Sequence, residues 1–489
     1  METTTLADPV RQIALIEDPP VRPIAVTQRN WFRLAFIAIL AFAAYAFLIV
    51  DYIGNAMTGS RAVILLVLPI LVGVIAAGYR QAPRGVSDGE SDWIVAIVAG
   101  VIGFTGLHLL TQRMPTLARL WHLDSLGVVL WTACLFAIMF GVRYVVRMWQ
   151  LWLFAACCVS PLPFLLVAAA FGGSDTVIAL LTAAIGALAV FLAGRCAHVG
   201  WRMSATLVCL AGASLLAGLL SEHLALAATV VLVAGVVPVI VTVVMLLGSG
   251  RGKDTTSSAS NNLPHRSPLS LLTLVAVAVG LLVINPPHAR SENPSPAAAD
   301  WAQRAGLGAP ESFPFITRFV GPDATLVRYT VPAKAGAPTA AVDVITTTRP
   351  AALGDFDDVV WYPSSRPLEY QPATSESLPA GARIIHSNAD ATTDAGAVDW
   401  YAVTWVWKAG SAYQRVTVIV NQKLDSDAPP PAPEALSPLD TSITPALWLA
   451  RQQPDSTGKV DPLVIERADS VVGLLLESSG DEAGKEAGV

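Results

Sequence analysis

The sequence predicts a multi-pass α-helical membrane bundle of about nine spans, followed by an extracytoplasmic α+β domain with a small antiparallel sheet. Three observations carry this expectation. The 489-residue chain is 54% hydrophobic and only 14% charged, whereas an average soluble domain carries about 25% charged residues. Its mean hydropathy of +0.56 conceals two unlike halves. Residues 1–285 hold 16 Lys and Arg against 12 Asp and Glu, a balance of +4, and residues 286–489 hold 15 against 25, a balance of −10. The apolar pattern also changes at Pro286-Pro287, from long unbroken stretches to short alternating ones. A basic apolar half followed by an acidic polar half reads as a membrane domain with a water-soluble domain attached. Neither half has a dense Lys/Arg face, which argues against a nucleic-acid partner.

Residues 1–30 read as a cytoplasmic tail. They are polar, contain Asp8, Glu17, Asp18 and Pro19-Pro20, and lack the apolar core of a signal peptide. The membrane domain follows over 31–285. A helix needs roughly 20 apolar residues to cross a hydrocarbon core of about 30 Å, because unpaired backbone groups are not tolerated in lipid. Stretches near 32–50, 61–79, 92–111, 124–142, 148–171, 175–194, 203–220, 225–248 and 269–285 meet or approach that length. The last is short, so eight spans is the alternative to nine.

Loop charges predict the orientation, since Lys and Arg are retained on the cytoplasmic side. The N-terminal tail has Arg11, Arg22 and Arg29, and every second loop repeats the enrichment: Arg80/Arg84, Arg143/Arg147, Arg195/Arg202 and Arg251/Lys253/Arg266. The intervening loops hold only Arg61, then Arg113 and Arg119, then none in 172–174 or 221–224. An N-inside chain with nine spans places the acidic half outside a bacterial-type plasma membrane. Trp31, Trp93, Trp121, Trp149 and Trp201 lie near predicted span ends, where an indole favours the headgroup layer.

The Pro/Ala/Ser-rich stretch 286–300 reads as a linker. Residues 301–425 form the predicted sheet domain, with strands over 325–332, 339–347, 382–388, 399–408 and 412–421, all rich in β-branched and aromatic residues. Tyr401, Val403, Trp405 and Trp407 share one face at period two, and the break at Ala409-Gly410-Ser411 predicts a hairpin. Residues 426–489 form a Pro-rich and helical C-terminal segment, with helices near 443–452 and 462–477. Leu447, Leu449 and the apolar run 471–476 are expected to pack on the sheet or to touch the membrane surface. All five cysteines, Cys134, Cys157, Cys158, Cys196 and Cys209, lie within or beside spans, so disulfides do not hold the outer domain.

No metalloprotease HExxH, CxxC pair, phosphate-binding loop or dinucleotide glycine fingerprint is present, so no nucleotide and no cofactor is expected. The spans carry no ionisable residue at depth, which disfavours a proton-coupled transporter. A catalytic thiol needs a base or cation beside it. Only Arg195-Cys196-Ala197-His198, with Arg202 following, offers that locally. The blander reading is a cytoplasmic-side basic cluster. Cys157-Cys158 and Cys209 read first as small apolar residues at helix contacts. In the outer domain, Asp355, Asp357 and Asp358 precede Trp361-Tyr362; they are either cation ligands or a solvated acidic loop, with the loop favoured and no metal site expected. Trp405 and Trp407, with Trp400, are either core or a recognition surface, and Trp361 and Tyr362 are the other binding candidates.

A span containing LDSLGVVLWTACLFAIMFGVRYVVR, followed by WQLWLFAACCVSPLPFLL, resembles the segment of bacterial exosortases in which a span ending in Gly-x-Arg precedes one closing on Pro-Leu-Pro. Phe313-Pro314, Arg328-Tyr329 and DWYAVTWVWKAGSAYQR resemble the exosortase-associated domain sometimes fused behind it. The resemblance spans about 90–425. It implies an envelope protein of sortase-like role that cuts C-terminal sorting signals of exported proteins and transfers them to an envelope acceptor. It also implies a Cys-Ser-Gly nucleophile, an Arg after an Asn some forty residues on, and a later His or Asn. Here the nearest equivalent is Cys209-Leu-Ala-Gly212, and VVPVIVTVVMLL stands where the Arg belongs. Arg251 and His265 follow on the predicted inner side, and Trp361-Tyr-Pro-Ser-Ser stands where the associated domain has its His-and-Cys motif. The expected function is therefore a divergent or noncatalytic exosortase-like protein in sorting or assembly of exported proteins or polymers. An active cysteine transpeptidase, using Cys196, His198 or Cys209, is the first alternative. A structural envelope protein whose outer domain binds a partner or glycan is the second.

Overall fold

A computed structural model describes residues 24–79, 89–249, 268–286, 294–334, 336–364, 368–373, 375, 377–387, 399–424, 426–444, 447 and 459–480. The expectations for residues 1–23, for Arg251 and His265, for Leu449 and for the last nine residues lie outside them.

The front half is a bundle of apolar helices: α1 (Ile24–Ala44), α2 (Ala46–Met57), α3 (Ile64–Ala77), α4 (Gly89–Arg113), α5 (Pro115–Leu120), α6 (Leu123–Phe140), α7 (Val142–Arg147), α8 (Trp149–Cys158), α9 (Pro161–Ala170), α10 (Asp175–Ala193), α11 (Val199–Leu220), α12 (Leu226–Val230), α13 (Val237–Ser249) and α14 (Pro268–Ile284). A π-helical turn, Val231–Val236, joins α12 to α13 in one apolar run. Among the described residues, five helices are long and apolar enough to cross a membrane: α4, α6, α10, α11 and the continuous run Leu226–Gly248. The number rises to seven if α1 with α2 and α8 with α9, bent by 78° and 63°, each count as one span. The expectation of nine needs α3 and α14 as well, which are only 14 and 17 residues long. The second bend falls at Ser160-Pro161, where a proline that cannot donate its backbone nitrogen starts a new helix.

The outer faces of these helices stay apolar, with Val101, Ile102, Leu207 and Leu215 each at least 60% exposed, as expected of helices solvated by lipid. Their contact seams are lined by small residues. Ala179, Ala183, Ala213 and Ala217 are fully buried between α10 and α11, which lets the two backbones approach closely.

The back half is built on one eight-stranded sheet: β1 (Ser295–Ala297), β2 (Pro310–Ser312), β3 (Thr325–Thr330), β4 (Ala340–Thr347), β5 (Gln371–Pro372), β6 (Arg383–His386), β7 (Trp400–Ala409) and β8 (Ala412–Asn421). The order is β2-β3-β4-β8-β7-β6-β5, antiparallel throughout, and β1 adds a parallel pairing to the end of β7. The five expected strands all form. The predicted hairpin is present, with Ala409 paired to Ala412 across Gly410-Ser411. Gly410 takes a positive φ of 61°, which glycine adopts without the steric cost of a Cβ.

The sheet's two faces have different neighbours. Tyr401, Val403, Trp405 and Trp407, with Val342, Val344, Val416 and Val418, pack against the C-terminal helix Pro462–Ser479 through Val464, Ala468, Val471, Val472 and Leu475. The sheet domain thus extends past 425, and the apolar run at 471–476 covers the sheet. Its start also moves: residues 295–297, read as part of the linker, are a strand, and Ala297 and Ala298 are buried. The opposite face carries Leu326, Ile345, Ala402 and Ile419, together with the polar side chains of Arg328, Asp343 and Arg415, and it meets the bundle.

Candidate functional site

The bundle presents three connections on one rim to the sheet domain. They are the turn between α2 and α3, the short α5, and the turn between α9 and α10. Leu162, Leu165, Leu166 and Ala169 of α9, the half-helix opened by Pro161-Leu-Pro163, share an apolar cluster with Ile316, Phe319, Val320, Leu353, Phe356 and Trp361 of the sheet domain. Beside it lies a polar network, buried at Ser60 and Arg61 and half-buried at its carboxylates. Ser60 Oγ donates to Asp355 Oδ1 at 2.5 Å, and the Arg61 backbone N–H donates to Asp355 Oδ2 at 2.5 Å. The Arg61 guanidinium, 1% exposed, donates to the carbonyls of Phe319, at 3.1 Å, and Gly173, and lies 3.8 Å from Asp175. Arg349 bridges Asp175 at 3.2 Å and Asp323 at 3.6 Å.

The electrostatics of this junction follow from its dryness. Burial pushes the Asp355 carboxyl up to about 7, against the hydrogen bonds from Ser60 and Arg61 and the Arg61 charge. At Asp323 burial pushes the same way, but hydrogen bonds from Thr348 and Thr347 outweigh it and hold that carboxyl below the usual range. Gly173 is required at the seam. Its φ is +65°, and an added Cβ would lie 1.8 Å from the Arg318 carbonyl oxygen.

These contacts account for two of the three basic residues in the loops that the charge pattern assigns to the outside. Arg61 is consumed by the docking network, and Arg119 lies in the field of Asp358 and Glu369. They also revise the acidic segment. Asp355 is a half-buried docking residue whose carboxyl oxygens are taken up by Ser60 and Arg61. Asp357 pairs with Arg383 at 2.9 Å and with Arg415, and Asp358 pairs with Arg383 at 2.8 Å. Among the described residues, no cluster of three His, Cys, Asp or Glu fits a metal ion.

Between α5 and the segment at 434–441 lies a cleft of about 340 Å³. Its apolar lining includes Met114, Leu117, Leu120 and Leu436, and its polar lining includes Thr116, Asp358 and Glu434. Trp361 and Tyr362 line it as well. Each wall is tied down. The Tyr370 N–H donates to Thr116 Oγ1 at 3.0 Å. Tyr362 Oη donates to Asp343 Oδ2 at 2.7 Å, and Arg328 grips Asp343 through two bonds of 2.8 and 2.7 Å. The same guanidinium donates to the carbonyls of Pro430 and Pro431 at 3.1 and 2.7 Å. The Pro-rich run therefore crosses the sheet face as a strap, and beside the cleft the Glu434 N–H donates to the Trp361 carbonyl at 2.7 Å. Burial, with the Asp357 charge second, raises the Asp358 carboxyl against the pull of Arg383.

The other aromatic candidates are core residues. Trp405 and Trp407 are 3% and 1% exposed and pack edge to face at 5.6 Å. Trp407 and Trp301 both donate to Gln414 Oε1 at 2.9 Å. They present no recognition surface, because the C-terminal helix covers their side of the sheet.

The thiol candidates do not converge. Cys209 is fully buried in the bundle core. His198 is exposed at the start of α11, where its Nδ1 accepts from the Gly200 N–H at 3.2 Å and caps the helix. Eleven residues at about 1.5 Å rise separate the two by on the order of 16 Å along the axis. Cys196 lies in the 3₁₀ turn Gly194–Cys196 at the far end of α10 from the docking rim. Cys134 Sγ donates to the Ala96 carbonyl at 3.7 Å, and no described cysteine sulfur bonds a histidine. Sequence reasoning missed a rim cluster in which Tyr52 Oη bonds His122 Nδ1 at 3.2 Å and also Ser125 Oγ. His122 there is in the left-handed region with φ of 51°.

No family model matches the chain, and neither a curated protein nor a solved structure matches it.

Proposed function

We propose that this chain is an integral membrane protein of a bacterial-type envelope, a noncatalytic relative of exosortases. In this reading the N-terminus is cytoplasmic, nine helices span by including α3 and α14, and the sheet domain is extracytoplasmic. The protein holds an apolar-and-polar segment of an exported protein or polymer in the cleft between α5 and the strap. The single observation that carries this reading is the cleft itself, a concave site with one wall from the bundle rim and the other from the docked sheet domain. Mixed lining of this kind suits an extended segment with small apolar side chains, which Met114, Leu117 and Leu120 desolvate beside the polar Thr116 and Glu434. The transpeptidase alternative requires a thiolate beside a base at that rim. Cys209 is in the bundle core, and the turn holding Cys196 is at the opposite end of α10.

A photoreactive amino acid at Leu117 tests the reading in living cells. It is expected to trap an exported polypeptide or glycan-bearing species that a probe at the exposed bundle position Leu207 does not trap. Identical adducts from both positions would sink the cleft. Cys196→Ala and Cys209→Ala, separately and together, are expected to leave envelope-protein processing unchanged, and loss of processing in either would restore catalysis.

A further inference from the structure

The docking rim is at the N-terminal end of α10, where Gly173 and Asp175 touch Arg61. The 19 residues of this helix carry the chain about 28 Å at 1.5 Å per residue, close to one hydrocarbon thickness of about 30 Å. At its far end two arginines stand together. Arg195, exposed, holds its guanidinium 4.4 Å over the Tyr79 ring. Arg202, half-buried, lies 3.5 Å over the Phe191 ring and donates from Nε to the Phe191 carbonyl at 2.7 Å. These contacts orient both guanidinium groups but supply no negative charge. Among the described residues neither forms an ion pair, and the Arg202 stem packs against Gly194, the residue that precedes Arg195. The positive end of the α11 dipole adds to the same field.

An anion would supply the negative charge that these two neighbouring guanidiniums lack, and a phosphate suits their fork geometry. The neighbouring surface says what carries the phosphate. Val199, Met203 and Leu207 recur every four residues down α11 and are 68%, 46% and 61% exposed, an apolar stripe running away from the arginines. Trp201 lies beside it, 44% exposed, with its indole N–H tied to the Met245 carbonyl at 3.2 Å. We propose that Arg195 and Arg202 form a site for the phosphate of an anionic phospholipid whose acyl chain lies along the Val199-Met203-Leu207 stripe. The site is on the rim remote from the sheet domain and does not depend on the cleft.

The test uses the full chain purified in a mild detergent. Native mass spectrometry counts bound lipid after addition of phosphatidylglycerol, phosphatidylcholine or inorganic phosphate. The intact protein is expected to retain phosphatidylglycerol and not phosphatidylcholine. Apparent affinity is expected to fall about five-fold for each charge removed in Arg195→Gln and Arg202→Gln, while Arg195→Lys keeps most of it. Arg195 is exposed, so its single substitution leaves the fold intact even if the double variant is unstable. Equal retention of both lipids, or full phosphatidylglycerol retention by Arg195→Gln, overturns the proposal. Binding of inorganic phosphate as tightly as the lipid overturns its lipid part and leaves a soluble-anion site.

Discussion

Asp355→Ala tests whether the sheet domain is fastened to the bundle by buried polar contacts. The carboxylate accepts from Ser60 Oγ and from the Arg61 backbone N–H, each at 2.5 Å, across an interface where Arg61 is 1% exposed. Alanine leaves both donors without an acceptor, at about 1–3 kcal/mol each, and takes one negative charge from the Arg61 guanidinium, which keeps Asp175 at 3.8 Å. Against this, the substitution removes the desolvation cost that drives the Asp355 carboxyl up to about 7. The net expectation is about 2–4 kcal/mol of lost docking, or roughly 30- to 700-fold at about 1.4 kcal/mol per decade. Hydrogen exchange at the Arg61 amide, the donor in question, reads this directly in detergent-solubilised protein. Protection within three-fold of wild type would refute the reasoning. The pH dependence has a definite sign. The docked carboxyl has a pKa raised above its ordinary value of 3.8, so the docked state takes up a proton. Docking is strongest below about pH 4, weakens as pH rises toward 7, and is level above that. Asp355→Asn, which cannot titrate, should abolish this slope in exchange protection.

Three further outcomes are expected. Gly173→Ala forces a Cβ into the Arg318 carbonyl at a φ of +65°, costing at least about 1–2 kcal/mol; faster tryptic release of the sheet domain is the readout, and a wild-type rate would show that the seam adapts. Arg328→Met strands the buried Asp343 and unties the strap at Pro430 and Pro431, at about 3–5 kcal/mol. Cleavage within 426–441 should then accelerate, and the added substitution Asp343→Leu should recover part of the stability; no recovery would mean that the bonds to the strap matter more than the stranded charge. Trp407→Ala should lower thermal stability by about 3–5 kcal/mol because its ring fills the core between sheet and C-terminal helix. A change under 1 kcal/mol would mean that the ring is not core.

Much of the fold was legible locally. Unbroken apolar stretches marked the helices, and period-two alternation at 399–421 marked the β7–β8 hairpin down to its glycine turn. These signals are short-range, because helix and strand periodicities depend on neighbours only a few residues away. The strands of two or three residues, β1, β2 and β5, were missed because so few residues carry no period. The bent helix pairs and the 14-residue α3 left the span count open, since hydropathy measures apolarity and not direction. The candidate site was half legible. Trp361, itself buried in the interface cluster, and Tyr362 do line the cleft, whereas Trp405 and Trp407, which share their aromatic signal, lie under the C-terminal helix. Composition cannot distinguish an aromatic side chain covered by a helix from one left open.

The sequence by itself determined the division into an apolar helical half and an acidic sheet half, because that division rests on composition and period. The tertiary structure decided what the polar residues between them are for. Ser60 and Asp355 are 295 positions apart, and Arg61 and Asp175 are separated in the chain by the seven helices α3 to α9. No local pattern announces such partners. An aspartate in a loop reads as solvated until docking removes the water, and burial then makes its hydrogen bonds and its proton matter.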